Sequence, residues 1–321
     1  MTADLNHSST PDQASSKWVL TALAPRFNQA DLASIDDFIQ QNFVLHQVQH
    51  LTHQDNPHIQ AIAYYVDAEH LDLVQFKQLA LDLCQDKNFD VVLQANDVFR
   101  RHRRLACFDM DSTLIQHEVI DELAIEAGIG EQVAQITASA MRGEIDFQQS
   151  FTQRMALLQG LDANVVERIA QRLRLMDGAE QLMQVLNKLG YQTVILSGGF
   201  QYFAEFLQNK LNLSRVYANH LDIVDGKLTG IVQGQIVDAQ RKAELLQQLA
   251  NEMQIQPQQV IAVGDGANDL PMLALAGLGI AYHAKPKVKA TAQHAVSNVG
   301  LEGILYLLGL SDDDIVQLMA S

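Results

Sequence analysis

The sequence predicts an α/β protein of two folded parts, the second of which is built on a parallel sheet. Two observations predict it. Up to about residue 95, apolar runs and helical repeats follow one another in the order β-α-β-β-α-β. From residue 104 onward, short continuous apolar runs bounded by Gly or Asp alternate with helical stretches. Such runs are typical of strands that are buried on both faces of a parallel sheet.

Charge and composition exclude several classes of protein. The chain has 22 basic and 38 acidic residues and a net charge of −16, so nucleic acid and anionic membranes would repel it. No apolar run approaches the roughly 18 residues of a membrane span, and the N-terminus lacks the layout of a secretory signal. Cys84 and Cys107 lie in apolar surroundings without CxxC spacing and are expected to be reduced. These features predict a cytoplasmic protein that binds neither nucleic acid nor membranes.

The N-terminal part is predicted to be a single α+β domain, because its order of elements is the ferredoxin-like pattern. A polar tail at residues 1–16, predicted to be disordered, precedes this domain at 17–95, and a basic linker at 96–103 follows it. The predicted strands lie at 18–23, 43–51, 59–66 and 89–95, and the predicted helices at 32–39 and 69–85.

Residues 104–321 are predicted to form a Rossmann-like domain. Its apolar runs are LACF (105–108), TVIL (193–196), VIAV (260–263) and LGIAY (278–282). About 80 residues between the first two runs lack a strand pattern, and helix starts at Asp146 and Asp162 predict an inserted helical cap at approximately 114–185. A small β-flap is predicted at 216–237, because Asp225-Gly226 is typical of a hairpin turn.

Two carboxylates follow the first run, where parallel sheets bind their ligands. Asp109 can attack phosphorus directly, since a carboxylate is already ionised at neutral pH. Asp111 can protonate the leaving oxygen and later deprotonate water. Taken alone, the pair also fits an ordinary turn or helix cap.

The later runs end in residues suited to phosphate and to a metal. Ser197-Gly198-Gly199 offers a hydroxyl and backbone N–H groups before a helix, which together can bind an anion. Lys242 can neutralise charge on a phosphoryl group, although neighbouring Arg241 competes for this role. GDGANDLPM (264–272) offers the oxygen ligands that Mg²⁺ prefers. Each feature alone has an ordinary structural explanation, but together they are what phosphoryl transfer requires.

These segments resemble a known family. DMDST, SGGF, the lysine of QRKAEL and GDGANDLPM resemble the four motifs of the haloacid dehalogenase superfamily of phosphohydrolases. Over about 104–300 the chain is similar to the phosphoserine phosphatases of that superfamily, and its N-terminal domain resembles ACT-type amino-acid-binding modules in topology. The resemblance implies a Mg²⁺-dependent hydrolase that converts O-phospho-L-serine to L-serine and phosphate, the last step of serine biosynthesis, through an aspartyl-phosphate.

The resemblance also implies roles for individual residues of the core. Asp109 would become the aspartyl-phosphate, and Asp111 would be the general acid and base. Asp109, Asp265 and the backbone carbonyl of Asp111 would hold Mg²⁺, with Asp269 behind these ligands. The residues that would hold the phosphoryl oxygens are Ser197, Gly198, Lys242 and Asn268.

In the cap, the resemblance implies contacts with the rest of the substrate. Glu118 would contact the substrate ammonium and Arg154 its carboxylate, while Phe147 and Met141 would close over the site as apolar residues. For Glu118 and Arg154, the residues alone equally favour solvated helix-surface charges.

Two other functions stay open at this point. The substrate could be another small phosphorylated amino or hydroxy acid, or the chain could be an amino-acid sensor with an inert phosphatase half. The presence of Asp109, Asp111, Lys242 and Asp265 speaks against an inert half. Two partners also stay open: serine at the N-terminal domain and a second copy of the chain in a homodimer.

Overall fold

The computed structural model describes residues 16–68 and 72–320. The predicted tail lies outside this range except for Ser16, which is buried and accepts hydrogen bonds from the Asn96 amide. Residues 69–71, where the second helix of the first domain was predicted to begin, also lie outside the range.

The N-terminal residues form a four-stranded antiparallel sheet of order β2-β3-β1-β4, which confirms the predicted α+β domain. Two helices pack on one face of the sheet through apolar side chains such as Ile35 and Phe76. The first begins at a capping box formed by Asn28 and Asp31, which satisfies free N–H groups of its first turn. The elements are β1 (Trp18–Ala24), α1 (Gln29–Asn42), β2 (Val44–His50), β3 (Gln60–Asp67), α2 (Leu73–Cys84) and β4 (Asp90–Ala95).

The second sheet is parallel and six-stranded, with the order β12-β11-β10-β5-β6-β7, as expected for a Rossmann-like core. Its inner strands β5, β10 and β11 are buried throughout, which explains their continuous apolar sequences. The strands of the second domain are β5 (Leu105–Phe108), β6 (Gln192–Phe200), β7 (Arg215–Asn219), β8 (Ile223–Val224), β9 (Lys227–Leu228), β10 (Val260–Gly264), β11 (Leu278–Tyr282) and β12 (His294–Val296).

The edge strands β7 and β12 carry no continuous apolar run, so the sequence did not predict them. Because β7 belongs to the parallel sheet, the start of the predicted flap at 216 is wrong. The flap itself is the hairpin β8–β9. Asp225 and Gly226 have φ of 52° and 73° at its turn, as a type I′ turn requires.

Helices fill the segment between β5 and β6, as predicted. The expected Asp146 caps α5, whereas α6 begins at Asn164, two residues after the expected Asp162. In the part of the chain that the structure describes, no helix combines the length and apolar composition needed to cross a membrane. The helices are α3 (Val119–Glu126), α4 (Gly130–Met141), α5 (Phe147–Leu157), α6 (Asn164–Arg172), α7 (Ala179–Lys188), α8 (Gln201–Leu211), α9 (Ala239–Glu252), α10 (Leu270–Leu275), α11 (Pro286–Thr291), α12 (Gly303–Leu307) and α13 (Asp312–Ala320).

The two sheets share an apolar core, because residues from the second face of the antiparallel sheet pack against the C-terminal segment. Leu23 and Ile59 lie against Gly303 at the start of α12. A polar contact fixes the same junction. The buried Asp90 carboxylate accepts hydrogen bonds from the backbone N–H groups of Ser297 and Asn298, both at 2.9 Å. The two sheets are therefore joined by packing and by a buried carboxylate.

Replacing Asp90 should weaken this junction. Asp90→Ala would leave buried N–H groups unpaired, so we expect the free energy of unfolding to fall by about 3 kcal/mol. Asp37→Ala, on the exposed face of α1, is the matched control and should change it by less than about 0.5 kcal/mol. Urea unfolding measures both. An Asp90→Ala protein as stable as the control would show that the contact does not hold the sheets together.

Candidate active site

Three strand ends meet at one edge of the parallel sheet. Strand β5 lies between β6 and β10. The chain continues from β5 to β6 and β7 on one side of it, and β10 to β12 are added on the opposite side. Open α/β sheets bind ligands at such a point. The pocket found there encloses about 190 Å³, less than a drug-sized ligand needs. Its lining residues are Asp109, Asp111, Glu118, Val119, Ile120, Phe147, Phe151, Arg154, Gly198, Gly199, Phe200, Asp265, Gly266 and Asn268.

A buried lysine joins two of the carboxylates. Lys242, on the first turn of α9, has no solvent exposure, and its Nζ lies 2.8 Å from Asp109 Oδ1 and 2.8 Å from Asp269 Oδ1. Burial alone would lower the pKa of Lys242, but the two carboxylates raise it above its ordinary value. Arg241 instead pairs with Glu244. The structure therefore brings Lys242, and not Arg241, to the carboxylates.

Asp109, Asp265 and Asp269 form a cluster suited to a metal ion, with one oxygen of each within 4.8 Å of the others. Both oxygens of Asp269 are already engaged, by Lys242 Nζ and by the Gly266 N–H. Burial, together with neighbouring carboxylates, raises the pKa of Asp265 and Asp269 to about 7. A divalent cation would relieve this repulsion, and hard oxygen donors are the ligands it prefers.

Asp111 stands apart from the lysine and is held by the start of α3. Its Oδ1 accepts a hydrogen bond from the Val119 N–H at 3.0 Å. Burial, then Glu118 and Asp109, raise the pKa of Asp111 well above its ordinary value. A raised pKa shifts the carboxyl of Asp111 toward its protonated form, which is the direction that a general acid requires.

The end of β6 forms another side of the pocket. Ser197 Oγ accepts a hydrogen bond from the Gly199 N–H at 2.9 Å, and Gly198 lines the pocket. Asn219, at the end of β7, donates from Nδ2 to the Gly198 carbonyl at 2.9 Å and accepts from the Val237 N–H at 2.8 Å. The sequence analysis missed Asn219 because it missed β7. A polar residue ending a strand was the available signal.

The cap contributes opposite charges to the same pocket. Glu118 Oε1 accepts a hydrogen bond from Ser112 Oγ at 2.8 Å. Removal from water raises the pKa of Glu118, and the Ser112 hydrogen bond opposes this. Arg154, on α5, lines the pocket beside it, and its Nε contacts the Ser150 carbonyl at 3.4 Å. One anion and one cation of the cap thus face the carboxylate cluster.

Aromatic rings form the apolar wall. Phe147 and Phe151 stack with ring centroids 6.1 Å apart, and Phe151 lies 5.9 Å from Phe200. A Cβ on Gly198 would lie 3.1 Å from the Phe147 ring, so a larger residue would require the ring to shift slightly. Neither Phe151, on α5, nor Phe200, at the end of β6, was predicted, because buried aromatic residues usually belong to the core.

The structure brings together all the predicted site residues except one. Met141 lies at the C-terminal end of α4, is 69% exposed and does not line the pocket. Three others are fully buried and do not line the pocket: Ser197, Lys242 and Asp269. Asn268 lines the pocket next to Gly266.

Comparison with known families agrees with this geometry. The family description "haloacid dehalogenase-like hydrolase" matches residues 104–277, more than half of the chain. A crystal structure of a HAD family hydrolase from Salmonella enterica serovar Typhi, 30% identical, superposes with a TM-score of 0.82 over 91% of this chain and 98% of that one. The chain therefore belongs to the haloacid dehalogenase-like hydrolases.

Its relatives define the family more narrowly. The phosphoserine phosphatase of Archaeoglobus fulgidus is 42% identical over 250 residues, which cover 78% of this chain and 73% of that protein. A structure of a phospho-aspartyl intermediate analogue of phosphoserine phosphatase, 41% identical, matches with a TM-score of 0.60 over 64% of this chain and 98% of that one. Within the hydrolases, this chain is a member of the phosphoserine phosphatase family.

The close approach of β6 to Asp111 gives a test of the site geometry. A Cβ on Gly199 would lie 2.5 Å from Asp111 Oδ2 and 2.7 Å from Met110 Cε. Gly199→Ala should therefore displace the Asp111 carboxylate and reduce kcat by about ten- to a hundredfold. Gly130→Ala, where a Cβ meets nothing within 4 Å, is the control and should leave kcat unchanged. Steady-state phosphate release measures both, and equal rates would contradict the placement of Asp111.

Proposed function

We propose that this chain hydrolyses O-phospho-L-serine to L-serine and phosphate through an aspartyl-phosphate on Asp109. The observation that carries the proposal is that two sets of groups share one small pocket. Asp109, paired with buried Lys242, lines it together with Glu118 and Arg154 of the cap, so one site offers groups for a phosphate and for the two other charges of phosphoserine. Membership in the phosphoserine phosphatase family supports the same substrate.

The first half-reaction forms the covalent intermediate. An Asp109 oxygen attacks phosphorus and forms a P–O bond, while the bond from phosphorus to the serine oxygen breaks. The leaving oxygen takes the proton that Asp111 carries, so L-serine departs as the neutral alcohol. Asp111 is left ionised.

The second half-reaction reverses the role of Asp111. Its carboxylate accepts a proton from water as the water oxygen attacks phosphorus. The P–O bond to Asp109 breaks, which releases phosphate and returns Asp109 to its carboxylate form. Lys242, Ser197 and the backbone N–H groups near Gly198 would stabilise the negative charge on the phosphoryl oxygens in both steps.

We propose Mg²⁺ as the cofactor. The residues that would hold it are Asp109, Asp265 and the backbone carbonyl of Asp111, with Asp269 behind them, and the buried cluster of carboxylates supports this choice. When bound, Mg²⁺ would supply positive charge to the phosphoryl oxygens of the substrate.

Selectivity would come from the cap. O-Phosphoserine carries an ammonium and a carboxylate in addition to its phosphate, and Glu118 and Arg154 are the matching charges. The planar guanidinium of arginine can donate to both oxygens of a carboxylate. The inert-sensor alternative is disfavoured because all the reactive residues lie together. The homodimer, serine binding by the N-terminal domain and the cytoplasmic location stay predictions.

Two substitutions distinguish the nucleophile from the proton shuttle. Asp109→Asn should abolish turnover and covalent labelling, since an amide is a poor nucleophile. Asp111→Asn should slow both half-reactions but leave the nucleophile intact. Rapid-quench labelling with radioactive phosphoserine measures both, and Asp37→Asn is a surface control. Near-native phosphate release by Asp109→Asn would rule out the covalent mechanism.

Removal of the metal should abolish activity and expose a pH dependence. The folded-state pKa values of about 7 for Asp265 and Asp269 exceed the ordinary 3.8, so the metal-free protein should lose stability as pH rises from about 4 to about 7. Mg²⁺ favours the ionised carboxylates and should therefore raise Tm more at pH 8 than at pH 5. Ca²⁺ should restore little activity because its coordination is larger and looser.

Scanning calorimetry with a chelator, Mg²⁺ or Ca²⁺ measures Tm at pH 5 and pH 8, and phosphate release under the same conditions measures activity. Full activity in excess chelator would remove the metal from the mechanism. An equal Tm increase at pH 5 and pH 8 would contradict the raised pKa values.

The cap residues should affect substrate selectivity more than chemistry. Glu118→Gln and Arg154→Ala each leave one substrate charge unpaired in the pocket, at a cost of about 2–5 kcal/mol. We expect kcat/KM for phosphoserine to fall by about two to three orders of magnitude. Hydrolysis of p-nitrophenyl phosphate, which has neither group, should fall much less. Equal losses on both substrates would show that these residues support folding or closure instead of recognition.

A further inference from the structure

A second pocket lies where the two sheets meet, and it shares no lining residue with the catalytic pocket. Part of its wall comes from the N-terminal domain, including Trp18, Phe76 and Leu93, and part from the segments before β11 and around β12. It encloses about 450 Å³, which is within the range of small-molecule sites. Most of this wall is apolar, so an occupant would bury an apolar body there.

A buried cation lies in the wall of this interdomain pocket. Arg103 is 4% exposed, and no carboxylate of the described residues pairs with it. Its Nη1 donates to the Arg100 carbonyl at 2.8 Å and its Nη2 to Gln94 Oε1 at 3.1 Å, both neutral acceptors. Its Nε has no partner within residues 16–68 and 72–320. Burial lowers the pKa of Arg103 and the charge of Asp97 only partly opposes this, so an anion bound in the pocket would offset more of the cost of the buried charge.

The neighbouring charges also favour an anion. Lys77, half-buried on α2, lines the same pocket. Burial, followed by Arg103 and Lys77, lowers the pKa of His294 to about 4, so this lining residue is neutral. Among the described lining residues, Asp97 is the one carboxylate; it is exposed and already accepts a hydrogen bond from the Phe99 N–H. The pocket therefore combines two cations, one exposed anion and an apolar wall.

We infer that this interdomain pocket binds a small organic carboxylate with an apolar body, held at its carboxylate by Arg103 and Lys77. Arginine and lysine both form charge-assisted hydrogen bonds with carboxylates. The aromatic and aliphatic wall selects the apolar body and disfavours an acid as polar as serine. Because residues of both domains contribute to the wall, the bound molecule would bridge them.

Trp18 makes the pocket directly observable, since it is the single tryptophan of the chain and lines the wall. The full chain is titrated with phenylacetate and, as the uncharged match, with phenylacetamide, while tryptophan fluorescence is recorded. We expect a saturable change with phenylacetate and binding at least about tenfold weaker for the amide, which cannot pair with Arg103. L-Serine and inorganic phosphate should each bind at least about tenfold more weakly than phenylacetate.

Variants locate the binding site. Lys77→Gln, at a half-buried position where folding is not at risk, should weaken phenylacetate binding by several-fold, and Arg103→Met should weaken it further. Arg154→Ala removes an arginine from the other pocket and should bind phenylacetate as the unaltered chain does.

Four results would overturn the proposal. They are the absence of a saturable response, equal affinity for the acid and the amide, equal affinity for serine or phosphate, and a loss caused by Arg154→Ala but not by Lys77→Gln.

Discussion

The contact of Lys242 with Asp109 and Asp269 is the interaction on which the rest of the site depends. Several carboxylates cannot all stay ionised next to one another in a buried site unless a cation offsets their repulsion. Lys242 reaches them because the cap of α9 at Asp238 fixes the first helical turn, and because β5 and β10 are neighbours. The order of the strands and the start of α9 therefore bring the lysine and the carboxylates together. The phosphate and the metal would add their charges to this cluster.

The same environment separates the roles of two neighbouring aspartates. Asp109 touches the lysine, whereas Asp111 hydrogen-bonds to the start of α3 and lies near Glu118, so its pKa is raised. Two like groups in different surroundings can therefore act as nucleophile and as acid. A further cation, Arg103, is buried in the wall of the interdomain pocket, and its Nε has no hydrogen-bond partner among the described residues.

Much of this arrangement could be predicted from the sequence, because strands buried on both faces must be continuously apolar and their polar ends must meet at one edge. This is why Asp109, Ser197 and Asp265 were found in order. Edge strands are less buried and need no continuous apolar run. For this reason β7 and its Asn219 were missed, and the flap was predicted to begin too early in the chain. The sequence also could not show whether Lys242 or Arg241 is the cation beside the carboxylates, because this depends on which side of α9 faces the sheet. Met141 was assigned to the site by resemblance, and its exposed position depends on how the cap is packed.

The unfolding free energy of the metal-free Lys242→Met protein, measured across pH, tests the central role of the lysine. Without the cation, the folded-state pKa values of the buried aspartates should rise further, so their stabilising contribution would be lost as pH rises. We expect a loss of about 3–5 kcal/mol relative to the parent chain at pH 8. That loss should shrink toward pH 4, where the carboxylates are protonated. A loss that is the same at pH 8 and pH 4, or no loss at either, would contradict the role of Lys242 as the charge that holds the site together.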